Sequence, residues 1–254
     1  MDDVTTKGLK KNYKLVLEYD GANYHGWQRQ KGVLTVQEVV ETRLGLMTQA
    51  SVRLIGAGRT DAGVHAQGQV ASFFSETKIA PERLLHGLNS LLPDDITALE
   101  LTQAPLKFHA RFQARRKVYE YQIHNGPQAP ALRRQYVWHI GQQLRWDLME
   151  KSLQVLEGRH DFTSFQASGS NVRNPEREIF STGIHSPAKD LWSITIEANG
   201  FLRRMMRNIV GTLVEVGRGK LTVDEFAAVV RACDRKRAGM AAPARGLCLL
   251  EVVY

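Results

Sequence analysis

The same order of secondary-structure elements can be traced twice along this chain. In the first half, strands are predicted at residues 13–20, 52–55, 69–74 and 96–101, mainly from alternating apolar side chains. Helices are expected from Thr35, where Thr35 and Glu38 match a capping box, and from Pro81. The resulting order is strand, helix, strand, strand, helix, strand, which is that of the split ferredoxin-like unit.

The second half repeats this order with one additional strand and one additional helix. Strands are predicted at residues 117–124, 136–140, 177–185, 192–198 and 247–254. Helices are predicted at residues 146–156, at 201–216, and from Thr222, where Thr222 and Glu225 match a capping box. We therefore predict an α+β fold of two ferredoxin-like halves, with mostly antiparallel sheets flanked by helices and a basic cleft between them. The boundaries are a polar tail at 1–11, an N-terminal half at 12–108 and a C-terminal half at 109–254.

One carboxylate lies in a loop of small residues between two predicted strands of the first half. The loop spans residues 56–66 and places Asp61 among glycines and alanines, two residues after Arg59. Small neighbours leave room for a planar group to approach Asp61, and glycine permits unusual backbone conformations. The alternative is a simple turn, in which Asp is common. The glycine spacing matches neither the dinucleotide-binding nor the P-loop pattern. The loop is therefore a candidate catalytic segment.

The charge of the chain favours a polyanionic partner. Its net charge is +8 and its pI is near 9.6, and a basic surface gains affinity by displacing counterions from phosphates. The basic residues form three groups: Lys107, His109, Arg111, Arg115, Arg116 and Lys117; Arg203, Arg204 and Arg207; Arg235, Lys236 and Arg237. Tyr119 and Tyr121 adjoin the first group, so they suit base stacking, although both could be strand core. We expect one of them to be exposed to a ligand and one to be packed.

Arg203 and Arg207 are four residues apart and share one side of the helix predicted at 201–216. If that side faces the loop, one of the two could pair with Asp61 and keep it ionised. An ordinary surface arginine is the alternative. Cys233 and Cys248 are far apart and have no metal-ligand spacing, which suits a reducing cytoplasm. No apolar run is long enough to cross a bilayer, and we expect no membrane association.

Five segments, taken in order, resemble the tRNA pseudouridine synthase A family. They are Gly56–Ala66, His109–Tyr121, Gly158–Phe165, Phe201–Gly211 and Ala242–Leu247. Together they extend the resemblance over residues 13–254. The chain departs from the family pattern at Arg204, where many members have histidine, so the contacts of that helix are the part least determined by the resemblance.

The resemblance implies a pseudouridine synthase fold and the isomerisation of uridine to pseudouridine at positions 38–40 of the tRNA anticodon arm. It implies a homodimer that uses neither a cofactor nor a metal ion. Asp61 is then the catalytic nucleophile or base, Tyr119 contacts the target base, and Arg59, Arg207 and Leu247 complete the substrate site. The further RNA-binding residues are expected to be Arg111, Arg115, Arg116, Lys117, Arg203 and Arg204.

Two other classes of function remain open at this point. A non-catalytic RNA chaperone would use the basic cleft alone, and replacing Asp61 by Asn would then leave the pseudouridine content of tRNA unchanged. A metal-dependent hydrolase is suggested by the pair His160-Asp161, with His65 and His109 near other motifs. Activity in excess chelator distinguishes the hydrolase from the isomerase.

Overall fold

The computed structural model describes residues 9–170 and 172–254, and within these residues ten strands form one mixed sheet. The strands are β1 (Lys11–Tyr19), β2 (Ile55–Gly56), β3 (His65–Ser75), β4 (Ile96–Ala104), β5 (Arg116–His124), β6 (Trp138–His139), β7 (Gly158–Asp161), β8 (Glu176–Ala188), β9 (Leu191–Ala198) and β10 (Leu247–Val253). The α-helices are α1 (Val36–Thr48), α2 (Pro81–Leu91), α3 (Trp146–Gln154), α4 (Met205–Gly217) and α5 (Val223–Ala232).

The strands of the two halves are arranged in the same spatial order. The main path of the sheet is β4-β1-β3-β10-β5-β9-β8-β7, while β2 pairs with β3 and β6 pairs with β5. Within each half, the fourth, first, third and second main strands lie side by side, as β4-β1-β3-β2 and as β10-β5-β9-β8. The α+β prediction of two ferredoxin-like units is therefore confirmed.

The two half-sheets merge through a parallel pairing between β3 and β10. Cys248 lies opposite His65 in this pairing, and Leu249 lies opposite Ala66. The backbones come so close here that a Cβ atom on Gly68 would lie 2.4 Å from the carbonyl oxygen of Leu250. Because β3 follows directly on the loop that carries Asp61, this junction places the loop beside strands of the C-terminal half.

The core lies on one face of the merged sheet. In β1 the side chains of Tyr13, Leu15, Leu17 and Tyr19 are at most 2% exposed, and they alternate with half-buried or exposed residues. This is the alternation expected of a strand with one covered face. Buried apolar side chains of both halves belong to a single cluster, so the two halves share one core.

The second predicted strand, 52–55, is almost absent. The backbone N–H of Leu54 donates to the carboxylate of Glu41 at 2.8 Å, and its carbonyl accepts from the side chain of Gln37 at 3.1 Å. Because side chains of α1 take these backbone groups, only Ile55 and Gly56 pair with β3. The prediction of a capping box at Thr35 is also wrong, since the side chain of Thr35 makes no capping hydrogen bond. Oε1 of Glu38 instead lies 3.4 Å from Nη2 of Arg29.

The helix predicted from Phe201 begins four residues later. Arg204 has a left-handed backbone, with φ of 62°, and the carbonyl of Arg203 accepts from the N–H of Ala167 at 2.9 Å. Arg203 and Arg204 therefore precede α4 instead of lying on it. Of the strand predicted at 136–140, only Trp138 and His139 pair with β5. The helix predicted at 146–156 ends at Gln154. The capping box of Thr222 and Glu225 is confirmed at the start of α5.

Most of the tail predicted at residues 1–11 lies outside the described residues. Leu9 and Lys10 are exposed, whereas Lys11 already pairs with Ser75 as the first residue of β1. None of the helices in the part of the chain that the structure describes is long and apolar enough to cross a membrane.

Candidate active site

The loop that carries Asp61 connects β2 to β3, and backbone hydrogen bonds hold it at several positions. The N–H of Ala57 donates to Val70 at 2.7 Å, and the N–H of Gly63 donates to Tyr24 at 3.2 Å. Inside the loop, the N–H of Val64 donates to the carbonyl of Asp61 at 3.1 Å. The loop is therefore a defined turn, and the backbone of Asp61 has little freedom.

Thr60, directly before Asp61, is bound from two sides. Its hydroxyl lies 2.8 Å from the hydroxyl of Tyr19 in a buried contact, and its carbonyl accepts from the N–H of Trp27 at 3.2 Å. Gly26 makes the second contact possible, because it adopts a φ of +86° and a Cβ atom there would lie 2.4 Å from the Thr60 carbonyl. The segment Tyr24–Gln28 thus helps to hold the loop that carries Asp61.

Asp61 forms an ion pair with Arg207 of α4. The Nη1 atom of Arg207 lies 3.1 Å from Oδ2 of Asp61, and the two side chains are 16% and 24% exposed. The Nε atom of Arg207 donates to the carbonyl of Ala242 at 2.7 Å, which fixes the plane of the guanidinium. Of the two arginines considered from the helix spacing, Arg207 makes this contact, whereas Arg203 is exposed. The carboxylate therefore has a fixed cationic partner and keeps an open side.

Lys117 of β5 donates to the same loop from the C-terminal half. Its ammonium lies 2.7 Å from the carbonyl oxygen of Ala57. Burial, and to a smaller extent the charges of Arg111 and Arg177, lowers the pKa of Lys117 to about 8. A half-buried cation repelled by two others makes this side of the loop strongly positive.

The two tyrosines of β5 have different surroundings, although both are nearly buried. Tyr121 is fully buried and donates to the carbonyl of Pro243 at 2.7 Å, so it is the packed residue. Tyr119 is 7% exposed and lies edge-on to Phe201, with ring centroids 4.7 Å apart. Burial raises the pKa of Tyr119, and the charge of nearby Asp61 adds to this, so its hydroxyl stays protonated. Tyr119 is therefore near enough to Asp61 for the charge of the carboxylate to act on it, but it is less exposed than expected.

The remaining residues expected in the site are not all brought together. Arg59 is exposed and donates to Gln28 at 3.2 Å, while Leu247 is 5% exposed and pairs with Tyr121 across β10 and β5. Arg116 lies on the opposite face of β5 from Lys117, because side chains alternate along a strand, and it pairs with Glu197 at 3.0 Å. Arg111, Arg115, Arg203 and Arg204 are exposed.

Three contacts of this site involve residues that the sequence did not single out. Phe201 packs on Tyr119, the carbonyl of Ala242 orients Arg207, and Arg177 acts on Lys117. The segments around Phe201 and Ala242 already belonged to the family resemblance, which was the one signal that pointed to them. Arg177 had none, because it enters from β8 and no local pattern connects that strand to the loop.

The histidines considered as metal ligands make other contacts. His160 lies 3.0 Å from the carbonyl of Glu157, and Asp161 accepts from the N–H of Thr163 at 2.7 Å. His65 lies 3.0 Å from the carboxylate of Asp20. Within residues 9–170 and 172–254, no three His, Cys, Asp or Glu side chains are grouped so that they could hold a metal ion.

Comparison with known proteins gives a consistent result over nearly the whole chain. A family model described as tRNA pseudouridine synthase matches residues 15–113 and 153–254. A tRNA pseudouridine synthase A from Thermoanaerobacter sp. (strain X514) is 46% identical over 244 residues, which cover 96% of this chain and 100% of that protein. The protein of the same name from Ruminiclostridium cellulolyticum is 43% identical, covering 95% of this chain and 98% of the relative.

Proposed function

Since this chain belongs to the tRNA pseudouridine synthase family, we propose that it isomerises uridine to pseudouridine in tRNA, with Asp61 as the catalytic residue. The observation that carries this proposal is the partly open carboxylate of Asp61, which is paired with Arg207 of the other half. Tyr119 is near enough for the charge of this carboxylate to act on it. Members of the family matched in full length carry the name of this activity.

The reaction is a rearrangement within one nucleotide. The bond between ribose C1′ and base N1 breaks, the base turns, and C5 forms a bond to C1′. The proton on C5 leaves to solvent, and N1 gains a proton. Nothing is oxidised or reduced and no group is transferred, so the chemistry needs neither a redox cofactor nor a metal ion. An ionised carboxylate can attack C1′ or C6, or act as the base that starts elimination.

Each residue near Asp61 has a part in this proposal. Arg207 positions the carboxylate of Asp61 and stabilises its negative charge. The hydrogen bond from Arg207 to the carbonyl of Ala242 restricts the movement of the guanidinium. In this proposal the target base stacks on Tyr119 at the small part of its ring that is exposed, since Tyr119 is 7% exposed. Extruding a base from a stem-loop costs a few kcal/mol, and stacking on Tyr119 together with phosphate contacts offsets this cost. Leu247 lies opposite Tyr121 in the pairing of β10 and β5, and we propose that it borders the substrate site.

The RNA contacts follow from the charges on both sides of the loop. Arg59, Arg111, Arg115, Arg203 and Arg204 are exposed cations that suit phosphates, and Lys117 reaches the loop from β5. Arg116 is the weakest of the expected RNA contacts, since it faces the other side of the sheet and is paired. We propose positions 38–40 of the anticodon arm as the target, a homodimer as the active form, and the cytoplasm as the location.

Both halves of the chain contribute residues to the proposed site. In this proposal residues 12–108 supply the loop with Asp61, while residues 109–254 supply Tyr119, Arg207 and most of the cations. The two parts meet at the parallel pairing of β3 and β10. Neither half alone would hold a complete site.

Pseudouridine mapping in cells tests the proposal. We expect tRNA from cells that lack the protein to have uridine at positions 38–40, and a plasmid copy of the wild-type protein to restore pseudouridine there. A copy with Asp61→Asn should fail to restore it at the same protein level. Unchanged tRNA in the deletion strain would refute the target, and restoration by the variant would point to an RNA chaperone instead.

A further inference from the structure

A hollow beside α4, separate from the pair of Asp61 and Arg207, is lined by cations. It has a volume of about 490 Å³ and is formed by residues 166–170, 234–236 and 238–240, which include Arg235 and Lys236. Ser168 and Ser170 contribute hydroxyl groups, and Asp234 is the acidic residue of the lining. The volume is in the range of ligand pockets and much larger than a single phosphate group.

The hollow is connected to the catalytic pair through consecutive residues of α4. Arg207 faces Asp61, and the next residue, Asn208, accepts from Arg235 at 3.1 Å and donates to the carbonyl of Phe165 at 2.7 Å. Consecutive residues of a helix point about 100° apart, so the hollow lies around the helix from the candidate active site.

The charges at this place repel one another in the free protein. Arg204 stands at the start of α4, where the helix dipole already gives a partial positive charge, and the first turn has no acidic residue. Burial, with a smaller effect from the charge of Arg204, lowers the pKa of Arg235. Among the described residues, Arg204, Arg235 and Lys236 have no carboxylate within ion-pair distance. An anion would relieve this repulsion.

The backbone of Arg204 gives a second indication. Its φ of 62° is a left-handed conformation that is unfavourable for arginine. Such strain is found at functional sites, where the surrounding structure maintains it. Here the carbonyl of the adjoining Arg203 accepts from the N–H of Ala167 in the wall of the hollow. Arg204 is therefore held close to this wall, where its charge acts on Arg235.

We infer that this hollow binds a backbone phosphodiester of the tRNA, away from the nucleotide that is modified. The inference rests on the proposed function, since it takes tRNA as the polyanion. In this arrangement Lys236 in the lining neutralises phosphate oxygens, and Arg204, which lies outside the lining, adds its charge beside Arg235. Arg235 remains braced by Asn208 and by the carbonyl of Ala238 at 3.0 Å. The hollow would hold the strand in register, so that the turned-out base reaches Asp61.

The test measures how tRNA affinity depends on salt. Unmodified tRNA is titrated with the wild-type protein, with Lys236→Gln, and with Arg204→Asn/Lys236→Gln at a series of KCl concentrations. Asn suits position 204 because it tolerates the left-handed backbone. Removing one cation that binds a phosphate should reduce the slope of log K against log[KCl] by about 1. We therefore expect a reduction of about 1 for the single variant and about 2 for the double variant.

Two controls make the result specific. Arg83→Gln removes an exposed cation on α2, which packs against β4 at the opposite end of the sheet, and it should leave the slope unchanged. Lys236→Arg keeps the charge and should retain the wild-type slope. Because Lys236 is exposed, its single substitution tests the inference even if the double variant folds poorly.

The outcomes separate this inference from the proposed function. Unchanged slopes in both variants, with normal pseudouridine formation by the wild-type protein, would overturn the tRNA contact alone. Absence of pseudouridine formation by the wild-type protein would overturn the proposed function itself. A third outcome is that the wild-type protein and the double variant have equal slopes, while inorganic phosphate binds the wild type and not the double variant. If that phosphate also fails to displace tRNA from the wild-type protein and from the double variant, the hollow is a site for free phosphate and the tRNA contact is overturned.

Discussion

Replacing Lys117 by Met should stabilise the protein at pH 7 and destabilise it at high pH. The lysine ammonium is half-buried, donates to Ala57 at 2.7 Å, and has a pKa lowered to about 8 by burial and by neighbouring arginines. Methionine keeps the length and apolar character of the lysine stem and removes the charge. The substitution therefore separates the cost of the buried charge from the benefit of its hydrogen bond.

The magnitude follows from the pKa shift. A fall from 10.5 to about 8 means that protonated Lys117 costs the folded state about 3 kcal/mol. The unfolded chain binds more protons between these two pH values, so the contribution of Lys117 to stability rises with pH over that window. Removing the bond to Ala57 costs about 1 to 2 kcal/mol at every pH. We therefore expect Lys117→Met to be more stable by about 1 to 2 kcal/mol at pH 7 and less stable by a similar amount above pH 10.5.

Urea unfolding of both proteins at pH 7, 8, 9, 10 and 11 measures this difference, and other titrating groups cancel in the comparison. Lys151→Met, at an exposed lysine of α3, is the control and should show no such change of sign. A difference that stays constant from pH 7 to pH 11 would refute the buried-charge reasoning. The variant should also lose pseudouridine synthase activity despite its higher stability at pH 7, because the loop loses the donor to Ala57.

Three further substitutions test the site. Arg207→Gln removes a charge-assisted bond worth about 1.5–3 kcal/mol, and single-turnover rates should fall about 10- to 150-fold while tRNA affinity changes less; an unchanged rate would exclude a role for the ion pair. Gly26→Ala should lower the free energy of unfolding, measured in urea, by at least about 2 kcal/mol, because its Cβ would lie 2.4 Å from the Thr60 carbonyl oxygen. Gly32→Ala is the control, since Gly32 has a φ of +79° but open space around it, and it should lower the free energy of unfolding by only about 1 kcal/mol. Equal losses in the two variants would contradict the contact between Gly26 and Thr60. Tyr119→Ala should weaken tRNA binding about tenfold or more because stacking is removed, whereas Tyr119→Phe should retain it; equal weakening by both variants would argue against stacking.

The repeated fold could be predicted because its signals are local. Alternation along β1, β5 and β9 and the capping box of α5 depend on neighbouring residues only, and these elements lie where the sequence placed them. The strand expected at 52–55 failed for a non-local reason. Its backbone groups bind side chains of Gln37 and Glu41, which lie 17 and 13 residues earlier in the chain.

The candidate site shows the same limit. Spacing proposed either Arg203 or Arg207 as the partner of Asp61, but the choice depends on the left-handed backbone of Arg204 and on the carbonyl of Ala242. The bond from Lys117 to Ala57 joins residues 60 positions apart, so no local pattern indicates it. The burial of Tyr119 likewise depends on Phe201, which approaches from the segment before α4.

Release of hydrogen from C5 of uridine is the most direct measure of catalysis by Asp61. With tRNA tritiated at C5 of uridine, the wild-type protein should release one tritium for each pseudouridine formed. Asp61→Asn should bind this tRNA with similar affinity and release none, while Asp94→Asn, at an exposed carboxylate, should behave as wild type. Release by Asp61→Asn at the wild-type rate would contradict the assignment of the chemistry to this carboxylate.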